Sequence, residues 1–85
     1  MTQKSQPEGV LFGQRLREIR QRRGVSQDQL ALTAHMSKAY ISNMENGLKV
    51  PSLTTILRLA VALNCKVMDL IGAYDKTDIR RLIER

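Results

Sequence analysis

Two closely spaced helix-start signals constrain the fold of this 85-residue chain more than any other feature. Ser26 is followed three positions later by Gln29, the Ser-x-x-Gln pattern of a capping box, and Asp28 lies in the positive first turn. Ser37 is a second N-cap residue, eleven positions after Ser26. This interval leaves room for one brief helix and a turn of about three residues before the next helix begins. The pattern therefore predicts a helix-turn-helix pair.

Apolar residues at helical spacing predict further helices on both sides of this pair. No segment shows the alternation of a strand, so we expect an all-α fold. In chain order, the predicted helices run from Leu11 to Gly24, Ser26 to Ala34, Ser37 to Asn46, Ser52 to Asn64 and Val67 to Ile71, followed by a helical tail within residues 75–85. The polar residues 1–9 are expected to form a flexible arm.

The same spacing predicts how these helices pack. Two helices that cross steeply need a small residue where they approach, and Ala31 supplies it, while Ile41 and Met44 face inward from the third helix. A broad apolar stripe, typical of a buried core helix, follows the fourth helix and consists of Leu53, Ile56, Leu57, Ala60 and Leu63.

Charge and the outer face of the third helix indicate what the domain binds. Fourteen Lys and Arg against eight Asp and Glu give a net charge of +6, and such a domain attracts polyanions, nucleic acid above all. The outward positions of the third helix are small or hydrogen-bonding, unlike a helix face that is only kept soluble, and they are Lys38, Ala39, Tyr40, Ser42 and Asn43.

Other classes of protein are disfavoured by the residues that are rare. Cys65 and His35 are each the sole member of their type, so the chain has no internal disulfide and no metal site of paired cysteines. No nucleophile beside a base can be picked out, so we expect neither an enzyme nor a cofactor. The longest apolar run, Leu59 to Leu63, is far shorter than the roughly 20 residues that span a bilayer, and a cytoplasmic location is expected.

Five separated segments carry a family resemblance. In order they are Leu16-Arg17-Glu18-Ile19-Arg20, Gly24-Val25-Ser26-Gln27, Tyr40-Ile41-Ser42-Asn43-Met44-Glu45-Asn46-Gly47, Pro51-Ser52-Leu53 and Leu59-Ala60-Val61-Ala62-Leu63. This pattern covers residues 11–71 and resembles the lambda-repressor-like (Cro/cI, XRE) DNA-binding domains. The Tyr40-Ile41-Ser42 segment is also similar to the controller proteins of restriction–modification systems.

The resemblance implies a five-helix DNA-binding domain over residues 10–72, with a C-terminal helical extension over residues 73–85. It also implies roles for single residues on double-stranded DNA. The residues expected to read base edges in the major groove are Lys38, Ala39, Ser42 and Asn43. Those expected to hold the phosphate backbone are Gln27, Ser37, Tyr40, Asn46 and Lys49.

Four further residues have expected structural roles. The family pairs the residues equivalent to Arg20 and Glu45 beneath the turn. His35 stands where the family has a left-handed glycine, which histidine tolerates at a cost on the order of 1 kcal/mol. Lys66 replaces the usual cap of the fifth helix, so we expect a weakened start there.

The resemblance implies a homodimeric transcriptional regulator that binds a pseudo-palindromic operator. The apolar residues expected at the dimer interface are Val67, Leu70 and Ile71 of the fifth helix and Ile79, Leu82 and Ile83 of the tail. The tail residues can equally cap the core, and both alternatives stay open. A rival function is an antitoxin, whose main partner is a toxin protein and which also binds its own promoter.

Overall fold

A computed structural model of the protein describes residues 7–72 and 74–84. These residues form six α-helices and no strand, which confirms the predicted all-α fold. The helices are α1 (Pro7–Arg22), α2 (Gln27–Ala34), α3 (Lys38–Glu45), α4 (Leu53–Ala62), α5 (Val67–Ile71) and α6 (Lys76–Glu84).

Serine caps set the starts of three of these helices, as the sequence predicts. Ser26 Oγ accepts the Gln29 N–H at 3.0 Å, and Gln29 Oε1 accepts the Ser26 N–H at 2.9 Å, which completes the capping box. Ser37 and Ser52 cap α3 and α4, each accepting the N–H three residues further on, at 3.0 and 3.1 Å. The register of the helix-turn-helix is therefore fixed by local hydrogen bonds.

Left-handed residues end the helices that must turn sharply. His35 has φ 57° and ψ 50°, the conformation that the resemblance implies, and Asn64 after α4 has φ 51°. At the start of α5, the Lys66 side chain makes no cap bond, but Asp69 Oδ2 accepts the Lys66 N–H at 2.9 Å. The weakened start expected there is therefore partly compensated by Asp69.

The first helix begins earlier than the sequence predicted. Residues 1–6 of the expected arm lie outside the described residues, and Pro7–Gly9 are already helical. Proline is accepted in a first turn because its missing N–H has no helical partner there, and Glu8 complements the helix dipole.

The core lies between α1, α2, α3, α4 and α5 and is formed by twelve buried apolar residues. They are Phe12, Leu16, Ile19, Leu30, Ala31, Ala34, Ile41, Met44, Leu59, Ala60, Leu63 and Leu70.

The expectation of a buried stripe on α4 holds for three of its five residues and was wrong for the other two. Ala60 and Leu63 are buried and Ile56 is half-buried against the core, but Leu53 is 67% and Leu57 is 47% exposed. Val61, which lies outside the predicted stripe, is 82% exposed. The reason is that α4 packs against α2 and α5, so only one side of the helix is covered. An apolar ridge of α4 is left uncovered by the described residues.

A glycine allows α1 to approach the end of α3 closely. A Cβ atom built on Gly13 would lie 2.2 Å from the Met44 carbonyl oxygen and 2.8 Å from that of Glu45. Any side chain at this position would push the helices apart. This contact brings the following turn of α1, with Arg17 and Arg20, against Glu45.

A tyrosine joins the C-terminal segment to α1. The Phe12 N–H donates to the Tyr74 hydroxyl at 3.0 Å, and that hydroxyl donates to the Glu8 carbonyl oxygen. The hydroxyl thus bridges two backbone groups that an α-helix normally joins directly. Beyond Tyr74, α6 has no buried residue among those that the structure describes, whereas Tyr74 hydrogen-bonds to the backbone of α1. Within residues 7–72 and 74–84, no helix is long and apolar enough to cross a membrane.

Candidate nucleic-acid interface

The third helix presents one polar face. Ile41 and Met44 are fully buried and hold α3 on the core. The residues of its N-terminal end, Ser37, Lys38 and Ala39, are exposed. The predicted base-reading residues Ser42 and Asn43 lie further along α3 and are half-buried. The structure therefore places the four predicted base-reading residues on one short helix, with the lysine and alanine at its more accessible end.

Tyr40 has a different environment from the other predicted contacts. It is half-buried and packs against the core, and its hydroxyl lies 3.4 Å from Thr55 Oγ1 of α4. The ring therefore helps to hold α3 against α4, and a phosphate contact through its hydroxyl stays a prediction.

Beneath the turn, Glu45 is the centre of a network of charge-assisted hydrogen bonds. Its side chain is fully buried, and Arg20 binds both carboxylate oxygens, with Nε 2.6 Å from Oε2 and Nη2 3.0 Å from Oε1. Arg20 Nη1 also donates to the Val25 carbonyl at 2.9 Å. Oε1 accepts two further bonds, from Arg17 Nε at 3.3 Å and Gln27 Nε2 at 3.1 Å. One carboxylate therefore joins α1, α2 and α3.

The charges of this network are mutually stabilised. Burial raises the pKa of the Glu45 carboxyl, but the hydrogen bonds from Arg20 and Gln27 and the charge of Arg20 outweigh it, so the pKa is lowered. The hydrogen bond to Glu45 raises the pKa of Arg20 in turn, against the opposing effect of burial. Both groups stay ionised because they are hydrogen-bonded to each other in a site that is largely shielded from water.

The network also orients two predicted phosphate-binding residues. The Gln27 side chain points inward and donates to Glu45. Its backbone N–H, in the first turn of α2, is not the one that the Ser26 cap binds and can donate to a phosphate. Asn46 Oδ1 accepts a bond from Arg17 Nη2 at 2.9 Å, so its amide NH₂ group remains a donor. Lys49 is exposed in the loop after α3. Sequence reasoning missed Arg17, although it lies three residues before Arg20 on the same face of α1.

An exposed ion pair joins the first turns of the two helices of the motif. Lys38 Nζ lies 3.5 Å from Asp28 Oδ2, and both side chains are largely exposed. Sequence reasoning treated Asp28 only as a dipole-complementing residue. The structure places this carboxylate beside the predicted base-reading lysine.

The residues expected at a dimer interface differ in their accessibility. Leu70 is fully buried in the core, so its expected place at the interface was wrong. Val67 and Ile71 are half-buried and pack against the core, and the exposed apolar side chain of α5 is instead Met68. The apolar face of this short helix turns inward because α5 packs against both α1 and α4.

On α6, Ile83 is 75% exposed, Ile79 is also exposed, and Leu82 is half-buried near Pro7 and Leu11 of α1. A second apolar surface is a groove between α2 and α4, lined by Thr33, Ala34, His35, Thr54, Leu57, Arg58, Val61 and Ala62. Within the described part of the chain, His, Cys, Asp and Glu form no group of three or more that could hold a metal ion.

A basic all-α domain whose capped second and third helices cross at a tight left-handed turn is a helix-turn-helix DNA-binding domain of the lambda-repressor-like fold. Comparison with known families agrees, because residues 16–70 match the helix-turn-helix family. The chain belongs to this family, in its Cro/cI or XRE branch.

Named relatives and a solved structure give the same result. The chain is 43% identical over 67 residues to the competence pilus inhibition repressor of Acinetobacter baylyi, covering 79% of this chain and 61% of the relative. It is 36% identical over 63 residues to the control protein C.BamHI of Bacillus amyloliquefaciens, covering 73% and 78%. The crystal structure of the restriction-modification controller protein C.AhdI from Aeromonas hydrophila superposes with a TM-score of 0.71 at 42% identity, covering 73% of this chain and 94% of that chain.

The chain spans about half the length of the first curated relatives that it matches, 44%, 61% and 45% of them. Several of these relatives are named as repressors or transcriptional regulators. DNA-binding regulation is therefore the activity of the family.

Proposed function

We propose that the chain is a transcriptional regulator that binds operator DNA as a homodimer, with α3 in the major groove. The observation that carries this proposal is the exposed, hydrogen-bonding end of α3, held by local caps on a core of buried apolar residues. A rigid helix of this kind can present its side chains to base edges without a large loss of conformational entropy.

Phosphate contacts set the register of the domain on DNA. The first turn of α2, at Gln27, and the capped start of α3, at Ser37, offer backbone N–H groups to phosphates on one side of the groove. Asn46 and Lys49, just after α3, supply donors on the other side. The Glu45 network fixes the distance between these two groups of donors because it contacts the side chains of both Gln27 and Arg17.

Base contacts select the operator. The Lys38 ammonium can donate to guanine O6 and N7, and the Ala39 methyl group can contact a thymine methyl group. Asn43 carries the donor and acceptor that match adenine N6 and N7, with Ser42 beside it. Lys38 and Asn43 are separated by about 140° around the helix, so they address different base pairs.

Pairing of two chains doubles the short site that one domain reads. Dimers of this kind place two recognition helices about 34 Å apart, on successive major grooves of one DNA face. The surface that supports the proposal is the exposed apolar face of α6, with Ile79 and Ile83, beside the half-buried Leu82. Val67 and Ile71 are half-buried, and we propose that their accessible atoms also contact the partner chain.

A specific observation favours the antitoxin as a second candidate. The groove between α2 and α4, with Leu57 and Val61 exposed, offers apolar surface to a different protein. If that groove serves a toxin, substitutions there will release a copurifying small protein and leave the homodimer and DNA binding unchanged.

Selection of preferred sites from random-sequence DNA tests the proposed function. We expect enrichment of a pseudo-palindrome whose half-sites are centred about one helical turn apart. A set of selected sequences with no shared motif would contradict sequence-specific binding. A motif without twofold symmetry would contradict the homodimer.

A further inference from the structure

Acidic residues are scarce on α2, α3 and α4. Between Glu18 and Asp69 the sequence has only Asp28 and Glu45. The side chain of Glu45 is fully buried and bound by two arginines, whereas that of Asp28 is 72% exposed. Asp28 is therefore the one exposed carboxylate of α2, α3 and α4 and of the loops between them.

This carboxylate lies at the reading end of the motif. Asp28 is the second residue of α2 and Lys38 is the first residue of α3, and the crossing of the helices brings their charged ends within 3.5 Å. An exposed ion pair of this kind contributes little to stability. A negative charge beside the phosphates also weakens binding to DNA of any sequence. The helix dipole favours an acidic residue in this first turn, but neither the dipole nor general DNA affinity accounts for the pairing of Asp28 with Lys38.

We propose that Asp28 is a specificity-determining residue that reads one base pair together with Lys38. Guanine O6 and cytosine N4 are neighbours at the major-groove edge of a G·C pair, one an acceptor and the other a donor. The Lys38 ammonium then donates to guanine O6 and N7, and the Asp28 carboxylate accepts from cytosine N4. The two groups already stand side by side in the free protein at a spacing that suits this edge.

The pair of side chains also rejects the other base pairs. A C·G pair or an A·T pair presents its amino donor to Lys38 and its carbonyl acceptor to Asp28, so both of these contacts become repulsive. A T·A pair offers thymine O4 and adenine N6 in the correct order, but the thymine methyl group stands where guanine has N7. Lys38 then loses its second acceptor, and the preference for guanine remains.

Asp28 has a second effect, which is on Lys38 itself. A lysine side chain is flexible enough to turn aside and bind a phosphate, where it carries no sequence information. The Asp28 carboxylate keeps the Lys38 ammonium on the base-reading side, because a Lys38 side chain that turned toward a phosphate would break its ion pair with Asp28. Asp28 thus lowers the affinity for random DNA while it raises the preference for the operator.

This inference rests on the proposed function and is tested by a double-substitution cycle on the selected operator. The variants are Asp28→Ala, which removes the acceptor, Lys38→Met and the two combined, measured on the operator, on operators changed at one base pair at a time, and on random DNA. Glu18→Gln is the charge-matched control, because its ion-pair partners Arg15 and Arg22 lie on α1 and it also removes one negative charge.

For Asp28→Ala we expect tighter binding to random DNA and a loss of about tenfold in preference at one G·C pair. Lys38→Met should lose its preference at the same pair, and the combined variant should lose no more than the larger single effect. Glu18→Gln should leave every base preference unchanged. Retained preference at that pair in Asp28→Ala, or losses at different pairs in the two single variants, would overturn this inference but not the proposed function. A parent protein without any base preference would overturn the proposed function with it.

Discussion

Arg20 and Glu45 join α1 to the end of α3 through two hydrogen bonds, 2.6 Å from Nε to Oε2 and 3.0 Å from Nη2 to Oε1. Bidentate contacts between arginine and a carboxylate are among the strong ion pairs in proteins. The Glu45 side chain is fully buried, so water does not compete with Arg20 for its oxygens. The pair fixes the orientation of α3 relative to the helix behind it. The pair therefore contributes both to the stability of the fold and to the orientation of α3.

Removal of the carboxylate should destabilise the fold strongly. In Glu45→Gln, Arg20 keeps the Val25 carbonyl oxygen and at most one acceptor at position 45, and its charge is left uncompensated in a partly buried site. We therefore expect a loss of about 3 kcal/mol in the free energy of unfolding. Urea denaturation of both proteins measures this loss. Arg17→Gln is the matched control, because the Arg17 side chain is 45% exposed and should cost no more than about 1 kcal/mol. Equal midpoints for Glu45→Gln and the parent would show that the network contributes no stability.

The contribution of Glu45 should depend on pH in a defined direction. Its pKa in the folded protein is lowered from the usual value near 4.3, so the unfolded chain takes up the proton first as the pH falls. The stabilisation is therefore complete above the unfolded pKa and is lost as the pH falls through the folded one. We expect the stability difference between the parent and Glu45→Gln to be constant from pH 6 to pH 8 and to shrink below about pH 4. A difference that grows at acid pH would contradict the lowered pKa.

Most of the fold could be predicted because it is specified locally. Ser26, Ser37 and Ser52 each bond a backbone N–H three residues away, and such signals are readable in a sequence window. The left-handed turn at His35 could also be predicted, in this case from the family resemblance. The start of α1 was placed too late because residues 7–10 carry little apolar periodicity to reveal a helix.

The features that sequence reasoning missed depend on long-range contacts. The exposure of Leu53 and Leu57 follows from which helices cover α4, and local periodicity does not encode that. Two arginines at α1 bond to distant backbone groups, since Arg15 Nε donates to the Asp69 carbonyl oxygen and Arg23 Nη2, just after the helix, to that of Asn64. A glycine within a helix, such as Gly13, was the available signal of a close helix contact.

The salt dependence of DNA binding tests the phosphate contacts. Lys49 is exposed after α3, and its ammonium should neutralise about one phosphate, so Lys49→Gln should weaken binding to every sequence and reduce the salt slope by roughly one unit. Titrations at several salt concentrations on operator and random DNA measure both effects. The control is Lys76→Gln on α6, which should leave the slope nearly unchanged. An unaltered slope in Lys49→Gln would show that this lysine is only solvated surface.

The proposed dimer surface on α6 can be distinguished by experiment from the groove beside α4. Ile83→Asp places a charge on the exposed apolar face of α6, so we expect it to raise the dimer dissociation constant by at least about tenfold. Val61→Asp places the same charge on α4 and serves as the matched control. Sedimentation velocity over a range of concentrations distinguishes the two outcomes. Loss of the dimer in Val61→Asp but not in Ile83→Asp would move the interface to α4.

The central claim, that α3 reads base sequence, is tested most directly through Asn43. This residue lies on the polar face of α3, and its amide matches the adenine edge in the major groove. Asn43→Ala removes that contact and leaves the helix caps and the Glu45 network in place, so a loss of affinity reports on base reading. The measurement is the binding free energy of the parent and the variant on the selected operator and on random DNA at one salt concentration. We expect a loss of about 1–3 kcal/mol on the operator and almost none on random DNA, whereas equal losses on both would contradict sequence reading by α3.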